Sequence, residues 1–347
     1  MTNAVAAGEL PASIETEEAL EELLSRPPQW LCHKLGALEG DIVVLGVAGK
    51  VGPTLARMAK RAAPDKRVIG VARFSDADVR ARLESWGVET LSCDLLDREA
   101  VAALPAAANI VYMAGKKFGT EGDPSFAWAM NTHVPALVAD KYRDARIVAF
   151  STLCVYPFAP VAEGGFGEEV EPGPTGDYAT SCVGRERVFG FFSRKHGTPG
   201  RLARLNYAID LRYGVLHDIA GWVRDGTPIP VGTGFASVIW QGDANAQILG
   251  ALAHATVPTS PLNVGGPEHM SVALAAREFG RRFGKEPVFE GEVQPDGWYN
   301  NTLMAQRLFG YPSVPLAVMI DWVADWMERD MPSHHKPTHY EERQGAF

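Results

Sequence analysis

Short apolar runs alternate with longer segments of helical periodicity along the first two thirds of the chain. The apolar runs predict strands, and the segments between them, with apolar residues three and four apart, predict helices. Strands that alternate with helices are typical of a parallel sheet covered on both faces. We therefore predict an α/β fold, a Rossmann-like doubly wound parallel sheet with a smaller C-terminal substrate-binding lobe. The predicted strands span 41–47, 67–73, 89–95, 109–115, 145–151 and 201–207, and the helices between them span 51–63, 76–87, 98–104 and 124–143.

The rest of the chain flanks this alternating pattern. Residues 1–40 predict an N-terminal helical extension that contains a short amphipathic helix. The domain that contains the parallel sheet is expected to span 41–207, and 238–265 is expected to return to it. The remaining segments are richer in loops and predict a substrate lobe, formed by 208–237 and 266–347.

A glycine-rich loop follows the first predicted strand. In "VVLGVAGKVG", Gly46, Gly49 and Gly52 stand between that strand and its helix, with Lys50 and Val51 inside the loop. Glycines let the backbone turn tightly and approach a pyrophosphate, and the helix N-terminus attracts the negative charge. The strand–turn–helix context predicts a dinucleotide site. A tight turn without a ligand is the alternative.

The end of the second predicted strand bears on the choice of dinucleotide. An acidic residue there would bind the ribose hydroxyls of NAD, but this chain reads Ala72, Arg73 and Phe74. Arg73 can instead bind the 2′-phosphate of NADP, and Lys50 adds positive charge nearby. We expect NADP or NAD as cofactor, with NADP weakly preferred. A solvent-exposed arginine with no ligand is the alternative for Arg73.

Several motifs together resemble the extended short-chain dehydrogenase/reductase superfamily, often labelled NAD-dependent epimerase/dehydratase. They are the glycine loop, "CDLLD" after the third strand, "MAG" after the fourth, an asparagine in the fourth helix, "FSTLCVYP" in the fifth strand, and a tyrosine in "GDYATSCVGRER". The resemblance covers roughly residues 40–265. It implies that the following residues bind the cofactor: Asp94 and Leu95 at the adenine, Met113, Ala114 and Gly115 in the small-residue turn, and Asn131.

The resemblance also implies a mechanism. Tyr178 would be the general acid/base toward a substrate hydroxyl or carbonyl, and Thr152 would hydrogen-bond the same oxygen, so both would bind the substrate. The family keeps a lysine four residues after the tyrosine, where this chain has Cys182. A thiol supplies no permanent positive charge to lower the pKa of the tyrosine.

Three explanations for the missing lysine remain open. Lys116 or Lys117, just after the fourth strand, stands in for it, with Lys117 assigned as the catalytic residue. Alternatively, Tyr178 works as a neutral acid with only the oxidised cofactor supplying positive charge. In the third, the protein binds a dinucleotide without turnover, as a sensor or scaffold.

Two departures from the family pattern bear on the substrate. Nucleotide-sugar members carry an arginine seven residues before the aspartate of a late motif, and here Asp243 is preceded at that distance by Ala236. We therefore expect a small polyhydroxylated substrate, such as a free sugar or sugar acid. Asn206, displaced from the family position, and Arg212 are the further substrate-binding candidates. A structural salt bridge is the alternative for Arg212.

Composition narrows the function classes. The net charge of −9 argues against nucleic acid and anionic membranes as partners. The four cysteines show no metal-ligand spacing, which predicts no metal site and fits a reducing cytoplasm. There is no apolar run long enough for a membrane span and no signal-peptide pattern.

Two further expectations concern the surface of the protein. The histidine-containing C-terminal stretch "SHHKPTHYEER" predicts a surface tail. The family resemblance implies a homodimer formed through the helices at 124–143 and 177–196. The first helix would contribute Ala127, Ala129, Met130, Val134 and Val138.

Overall fold

The computed structural model describes residues 10–117 and 122–345. The strands in these ranges are β1 (Ile42–Leu45), β2 (Val68–Ala72), β3 (Glu89–Ser92), β4 (Asn109–Tyr112), β5 (Arg146–Thr152), β6 (Ala159–Pro160), β7 (Gly200–Leu205), β8 (Tyr207–Ile209), β9 (Ile229–Pro230), β10 (Phe235–Trp240), β11 (Ser260–Val264), β12 (His269–Ser271), β13 (Phe289–Glu290) and β14 (Asp296–Gly297).

The α-helices are α1 (Glu17–Leu24), α2 (Gln29–Ala37), α3 (Gly52–Ala62), α4 (Ala77–Ser85), α5 (Arg98–Ala103), α6 (Pro124–Trp128), α7 (Val134–Lys141), α8 (Gly176–His196), α9 (Val215–Asp225), α10 (Gln241–Gly250), α11 (Val272–Phe283), α12 (Leu303–Phe309) and α13 (Leu316–Glu328). None of the helices in the described ranges is long and apolar enough to cross a membrane.

Seven parallel strands form the central sheet, in the order β11–β7–β5–β4–β1–β2–β3. The order reverses between β1 and β4, as in a doubly wound sheet. The α/β fold class predicted from the alternating pattern is therefore confirmed.

Strand β1 shows why continuous apolar runs build this sheet. Its residues are fully buried, with Ile42 and Val44 packed on one face and Val43 and Leu45 on the other. The first face is covered by α3 and α10, and the second by α7 and α8. A parallel strand buried on both faces needs apolar side chains at every position, which is the pattern in the sequence.

A second core lies beside the sheet. It combines α1, α9, α11 and α13 with the small sheet β12–β10–β8. Residues 238–265 link the two cores, because β10 belongs to the small sheet, α10 packs on α3, and β11 joins the main sheet beside β7. The N-terminal α1 packs within the second core through Leu20 and Leu24, and residues 1–9 of the predicted extension lie outside the described ranges.

The helix expected over 124–143 is interrupted by a π-helical turn at Ala129–His133, between α6 and α7. Three of the apolar side chains expected at a dimer surface, Ala127, Val134 and Val138, are buried in the core of the single chain. That part of the expectation is wrong, because these residues cover the parallel sheet.

The C-terminal stretch is also not a surface tail. Thr338 and Tyr340 are buried, and Tyr340 belongs to the second core. Arg343 pairs with Asp296, and Gly345 lies against Thr175 at the start of α8. We call residues 332–345 the C-terminal strap.

Candidate active site

A cavity of about 390 Å³ opens at the carboxyl edge of the sheet, where β1 and β4 lie side by side. In open α/β sheets ligands bind where the strand order reverses, and this cavity lies at that point. Its lining brings together the glycine loop, the turn after β4, the end of β5, the start of α8 and the strap. The segments that were predicted to form one site therefore meet in space, and the strap, which was predicted to be a surface tail, joins them.

The glycine loop has the backbone that its sequence predicts. Gly46 has a φ of +90°, and a Cβ there would lie 2.6 Å from the backbone nitrogen of Ala114. A Cβ at Gly52 would collide with the backbone of Val47. At Gly49, by contrast, a Cβ would meet only the carbonyl oxygen of Gly46 at 3.7 Å, so space remains open beside the loop. Val51, which also lines the cavity, precedes α3 and leaves the N–H groups of that helix facing the loop.

This geometry fits a dinucleotide. Gly46 and Gly52 stand where the tight turn leaves no room for a side chain. Gly49 leaves free space at a helix N-terminus, and that space suits a pyrophosphate.

The residues expected near the adenosine half lie at the ends of β2 and β3. Arg73 is exposed directly after β2, and Phe74 follows with a φ of +50°. Asp94 is exposed and accepts a hydrogen bond from the backbone of Leu96. Leu95 is buried in the core, so only its backbone is presented to a ligand.

Lys50 points across the cavity toward the substrate lobe. Its Nζ lies 3.4 Å from the ring centroid of Tyr213. Burial, together with the charges of Lys336 and Lys117, lowers the pKa of Lys50 to about 8. Its side chain therefore lies at the substrate side of the cavity. It does not lie at the end of β2, where the 2′-phosphate of NADP would bind.

Tyr178 lies in the first turn of α8 and faces Thr152 at the end of β5. Burial raises the pKa of Tyr178 well above its ordinary value, and the thiols of Cys182 and Cys154 raise it further. The charge of Arg185 and a hydrogen bond with Thr152 act in the opposite direction. The tyrosine and the threonine expected from the two motifs thus both line this cavity.

The two lysines after β4 have different surroundings. The Nζ of Lys116 lies 5.9 Å from the ring of Phe126, and the Nζ of Lys117 lies 5.9 Å from the ring of Tyr178. Lys117 also donates to the carbonyl oxygen of Thr338 at 3.3 Å. Burial lowers the pKa of Lys117. Of the two, Lys117 is therefore the lysine beside the tyrosine.

Asn131 joins the turn after β4 to α8. Its Oδ1 accepts from the backbone N–H of Lys116 at 2.9 Å and from Arg185 Nη2 at 2.6 Å. Its Nδ2 donates to the carbonyl of Lys116 and to Ser181 Oγ, both at 2.9 Å. Asn131 thereby shapes the Met113–Gly115 turn expected beside the cofactor, and it does so from inside the π-helical turn, a distortion frequent at functional sites.

The two further substrate-binding candidates have structural partners. Arg212 is buried in ion pairs with Asp210, Glu17 and Glu21, so the salt-bridge alternative is correct and substrate binding by Arg212 is wrong. Asn206 lines the cavity, but its Nδ2 donates to Asn300 Oδ1 at 2.8 Å and its Oδ1 accepts from the backbone of Tyr207. Both ends of the amide are therefore engaged within the protein.

Two residues of the late strand–helix motif also have structural positions. Ala236 is fully buried within β10. Asp243 accepts from the backbone and the hydroxyl of Ser313 and from the backbone of Val314. This aspartate ties α10 to the segment before α13.

The strap contributes Thr338 to the wall of the cavity. Both the backbone N–H and the hydroxyl of Thr338 donate to Asp218 Oδ2, at 2.8 and 2.6 Å. Thr338 lines the cavity, and its carbonyl accepts from Lys117. The strap therefore connects α9 to the residues around Tyr178.

Thr338 and Arg185, which were not predicted as site residues, also line the cavity, as does Tyr213, the neighbour of Arg212. Thr338 carries no local motif. Arg185 does carry a signal, because it stands seven residues after Tyr178 on the same helix, a spacing that returns to the same face.

One family profile matches the part of the chain that contains the glycine loop, Thr152 and Tyr178. Residues 42–206 match the profile of the NAD dependent epimerase/dehydratase family. A search of curated proteins finds no significant match.

Solved structures share the fold at low identity. The Bacillus cereus UDP-glucuronic acid 4-epimerase, a mutant in complex with UDP-4-deoxy-4-fluoro-glucuronic acid and NAD, has a TM-score of 0.69 at 16% identity, over 83% of this chain and 99% of that chain. The Thermotoga maritima UDP-glucose 4-epimerase with UDP-glucose has a TM-score of 0.69 at 16% identity, over 84% and 99%. A double mutant of the dTDP-glucose 4,6-dehydratase of Streptomyces venezuelae with NAD has a TM-score of 0.70 at 20% identity, over 83% and 97%.

Proposed function

Residues 42–206 belong to the NAD dependent epimerase/dehydratase family, and from this premise we propose that the chain is an NAD(P)-dependent oxidoreductase or epimerase of that type. Its substrate would be a small polyhydroxylated molecule, such as a free sugar or sugar acid, that reacts at a hydroxyl or carbonyl group. The observation that carries the proposal is the Tyr178–Thr152 pair, which faces the same cavity as the glycine loop.

The residues that would hold the cofactor are the glycine loop, Arg73, the backbone at Asp94 and Leu95, and the turn from Met113 to Gly115. A bound nicotinamide dinucleotide would supply the oxidising or reducing equivalent. Arg73 favours NADP, because an arginine–phosphate contact contributes roughly 1.5–3 kcal/mol and no acidic side chain follows β2 to bind ribose hydroxyls.

Tyr178 would exchange a proton with the reacting oxygen, and Thr152 would hold that oxygen by a second hydrogen bond. Lys117, beside the ring of Tyr178, would orient the substrate and add positive charge while it is protonated. The three side chains that would perform these roles all line the cavity, which supports the proposal.

Two features of the chain support a small, acidic substrate without a nucleotide. Nucleotide-sugar enzymes of the family bind the nucleotide diphosphate with an arginine seven residues before the aspartate of the late strand–helix motif. Here the position is Ala236, which is buried in β10 and cannot make that contact. Lys50 and Lys117 line the wall and suit a carboxylate.

One observation favours a second candidate function, a dinucleotide-binding sensor or scaffold without turnover. Burial raises the pKa of Tyr178 well above its ordinary value, and Cys182 replaces the family's lysine. An acid/base group works best with a pKa near the working pH, so Tyr178 would be a poor catalyst if no nearby charge lowered its pKa. Co-purified dinucleotide with no turnover would identify this case.

We also propose self-association as a homodimer through the α6–α7 and α8 region. Trp128 and Phe191, large apolar side chains exposed on these elements, support it. Sedimentation velocity at two protein concentrations tests this point.

Dinucleotide binding is the first step to test. We expect calorimetry to detect NADP and NAD, with NADP bound more tightly. Gly49→Leu should abolish binding, because its side chain fills the cradle beside the loop. Gly36→Leu is the matched control, since a Cβ at Gly36 meets nothing within 4 Å. Failure of the wild type to bind either dinucleotide at millimolar concentration would refute the proposed function.

A further inference from the structure

We propose that Arg185 is a positioning residue that supplies the fixed positive charge acting on Tyr178, in place of the lysine that this chain lacks at position 182. The proposal rests on the proposed function of Tyr178 as the acid/base group. It adds a residue that neither the motif nor the family resemblance assigned.

Helix geometry places Arg185 on the correct face of α8. Tyr178, Cys182 and Arg185 stand at i, i+4 and i+7, and these spacings share one side of a helix. Tyr178 and Arg185 both line the cavity. Cys182, between them, is fully buried against Val155 and Tyr156. The lost lysine and the arginine therefore lie one turn apart on the same surface.

The guanidinium group of Arg185 is held at a defined position. Its Nη1 donates to the carbonyl oxygen of Phe150 at 2.9 Å, and its Nη2 donates to Asn131 Oδ1 at 2.6 Å. A Cβ at Gly115 would lie 2.5 Å from Nη2, so this glycine leaves the space that the guanidinium occupies. The Nε–H is buried and has no hydrogen-bond partner among the described residues.

The charge of Arg185 is not cancelled by an ion pair. Within residues 10–117 and 122–345, its hydrogen-bond acceptors are a carbonyl and an amide oxygen, both neutral, and no carboxylate lies within salt-bridge distance. Arg204, another buried arginine close by, pairs with Glu186 at 2.8 Å and so has its charge balanced. A buried charge without a counter-ion is costly, and such groups concentrate at functional sites.

Several titratable groups face this pair from the surrounding elements. Tyr178 faces Cys182 on its own helix, Cys154 after β5 and Lys117 after β4, and it packs near Tyr207. Arg185 faces Tyr112 of β4, with its guanidinium carbon 5.7 Å from that ring, and Glu186, which is engaged by Arg204.

Among these groups Arg185 is the one that stays positively charged. The two thiols raise the pKa of Tyr178, and Arg185 lowers it. Burial lowers the pKa of Lys117, so that lysine gives up its proton more readily than an exposed one. An arginine keeps its proton throughout.

The test measures binding and needs no substrate. The positive ring of an oxidised nicotinamide favours the phenolate of Tyr178, so affinity for the oxidised dinucleotide should begin to rise with pH where Tyr178 ionises in the complex, and level off only where it ionises in the free protein. Calorimetry from about pH 6 to about pH 10 gives the pH at which this affinity has doubled, which is the midpoint of the ionisation of Tyr178 in the complex. Tyr178→Phe should abolish the rise and thereby identify its source.

Arg185→Met should raise the midpoint by about 1–2 pH units. Arg185→Lys, which keeps the charge, should restore most of the wild-type midpoint. The double variant Cys182→Lys/Arg185→Met, which rebuilds the family arrangement, should do the same. Arg187→Met is the matched control on the same helix, because its side chain is 69% exposed and pairs with the exposed Glu171 at 3.3 Å. Should Arg185→Met not fold, Arg185→Gln keeps a donor for Asn131 and removes the charge.

The outcomes separate this proposal from the proposed function. A rise that survives in Tyr178→Phe refutes the role of Tyr178. A rise that Tyr178→Phe abolishes, but whose midpoint is unmoved in Arg185→Met, refutes the role of Arg185 alone. A larger shift in Lys117→Met than in Arg185→Met assigns the charge to Lys117 and likewise overturns the proposal.

Discussion

Side chains around the cavity shift the pKa values of their neighbours in opposing directions. Burial and two thiols disfavour the phenolate of Tyr178, while Arg185 and Thr152 favour it. Lys50 and Lys117 share the cavity, and each charge makes it harder for the other to stay protonated. The balance among these few residues decides whether the family mechanism operates without its lysine.

Lys50 provides a pH-dependent prediction. Its pKa is lowered to about 8, so it is a cation below that pH and is neutral above it. If a carboxylate binds beside Lys50, affinity for a sugar acid such as glucuronate should fall as pH rises through about 8. Lys50→Met should weaken binding at neutral pH and remove the pH dependence, as calorimetry would show. Lys34→Met, an exposed lysine on α2, is the control. A wild type whose affinity for the sugar acid does not change with pH would contradict this assignment.

The site residues that were predictable from the sequence are those with local reasons for their identity. Gly46 needs a positive φ, and Tyr178 stands at a fixed place in a motif. Arg212 shows the opposite case. Two of its three carboxylate partners lie on α1, and Glu17 is 195 residues away in the sequence, so only the fold identifies it as structural.

At the scale of elements, six of the seven strands of the main sheet were predicted, but their ends were not, and β11 was not predicted as a strand. The prediction for β1 continued to residue 47, whereas the strand ends at Leu45 and the glycine loop begins. The apolar pattern continues past the last residue of β1 because Val47, in the glycine loop, packs into the core on one face of the sheet. The interruption of 124–143 was also unpredictable, since a π-helical turn leaves the apolar periodicity nearly intact.

The C-terminal strap depends on one carboxylate. Asp218 on α9 accepts both hydrogen bonds from Thr338. Asp218→Ala leaves two buried donors without an acceptor, at a cost of about 1–3 kcal/mol. Hydrogen exchange across residues 333–345 should therefore become roughly ten-fold faster or more. Asp225→Ala, an exposed aspartate on the same helix, should leave exchange unchanged. Equal exchange in the wild type and Asp218→Ala would show that the strap is held by other contacts.

At the scale of the whole molecule, the cavity contrasts with the rest of the chain. The net charge is −9, yet Lys50, Lys116, Lys117 and Arg185 all line the cavity. Clefts lined by one sign of charge concentrate ligands of the opposite sign. An acidic protein with a basic cleft is suited to an anionic dinucleotide and an anionic substrate.

The parts of this cavity come from distant stretches of the chain. The glycine loop, the turn after β4 and the start of α8 follow the order of a doubly wound sheet and could be placed from the sequence. The strap could not, because "SHHKPTHYEER" is mostly polar and its burial depends on Asp218, Trp222 and Asp296 in the lobe.

The most direct test of the central claim is turnover by Tyr178→Phe. Wild type, Tyr178→Phe and Tyr311→Phe would be incubated with oxidised and reduced dinucleotides and a panel of free sugars and sugar acids. Nicotinamide absorbance reports oxidation or reduction, and proton NMR of the sugar reports epimerisation, which leaves the dinucleotide unchanged overall. Tyr311 is the control because its side chain is 75% exposed. We expect turnover by the wild type and Tyr311→Phe, and a loss of about 10²–10⁴-fold in Tyr178→Phe with dinucleotide affinity little changed. Full turnover by Tyr178→Phe would show that Tyr178 is not the acid/base group and would leave this tyrosine as a packing residue.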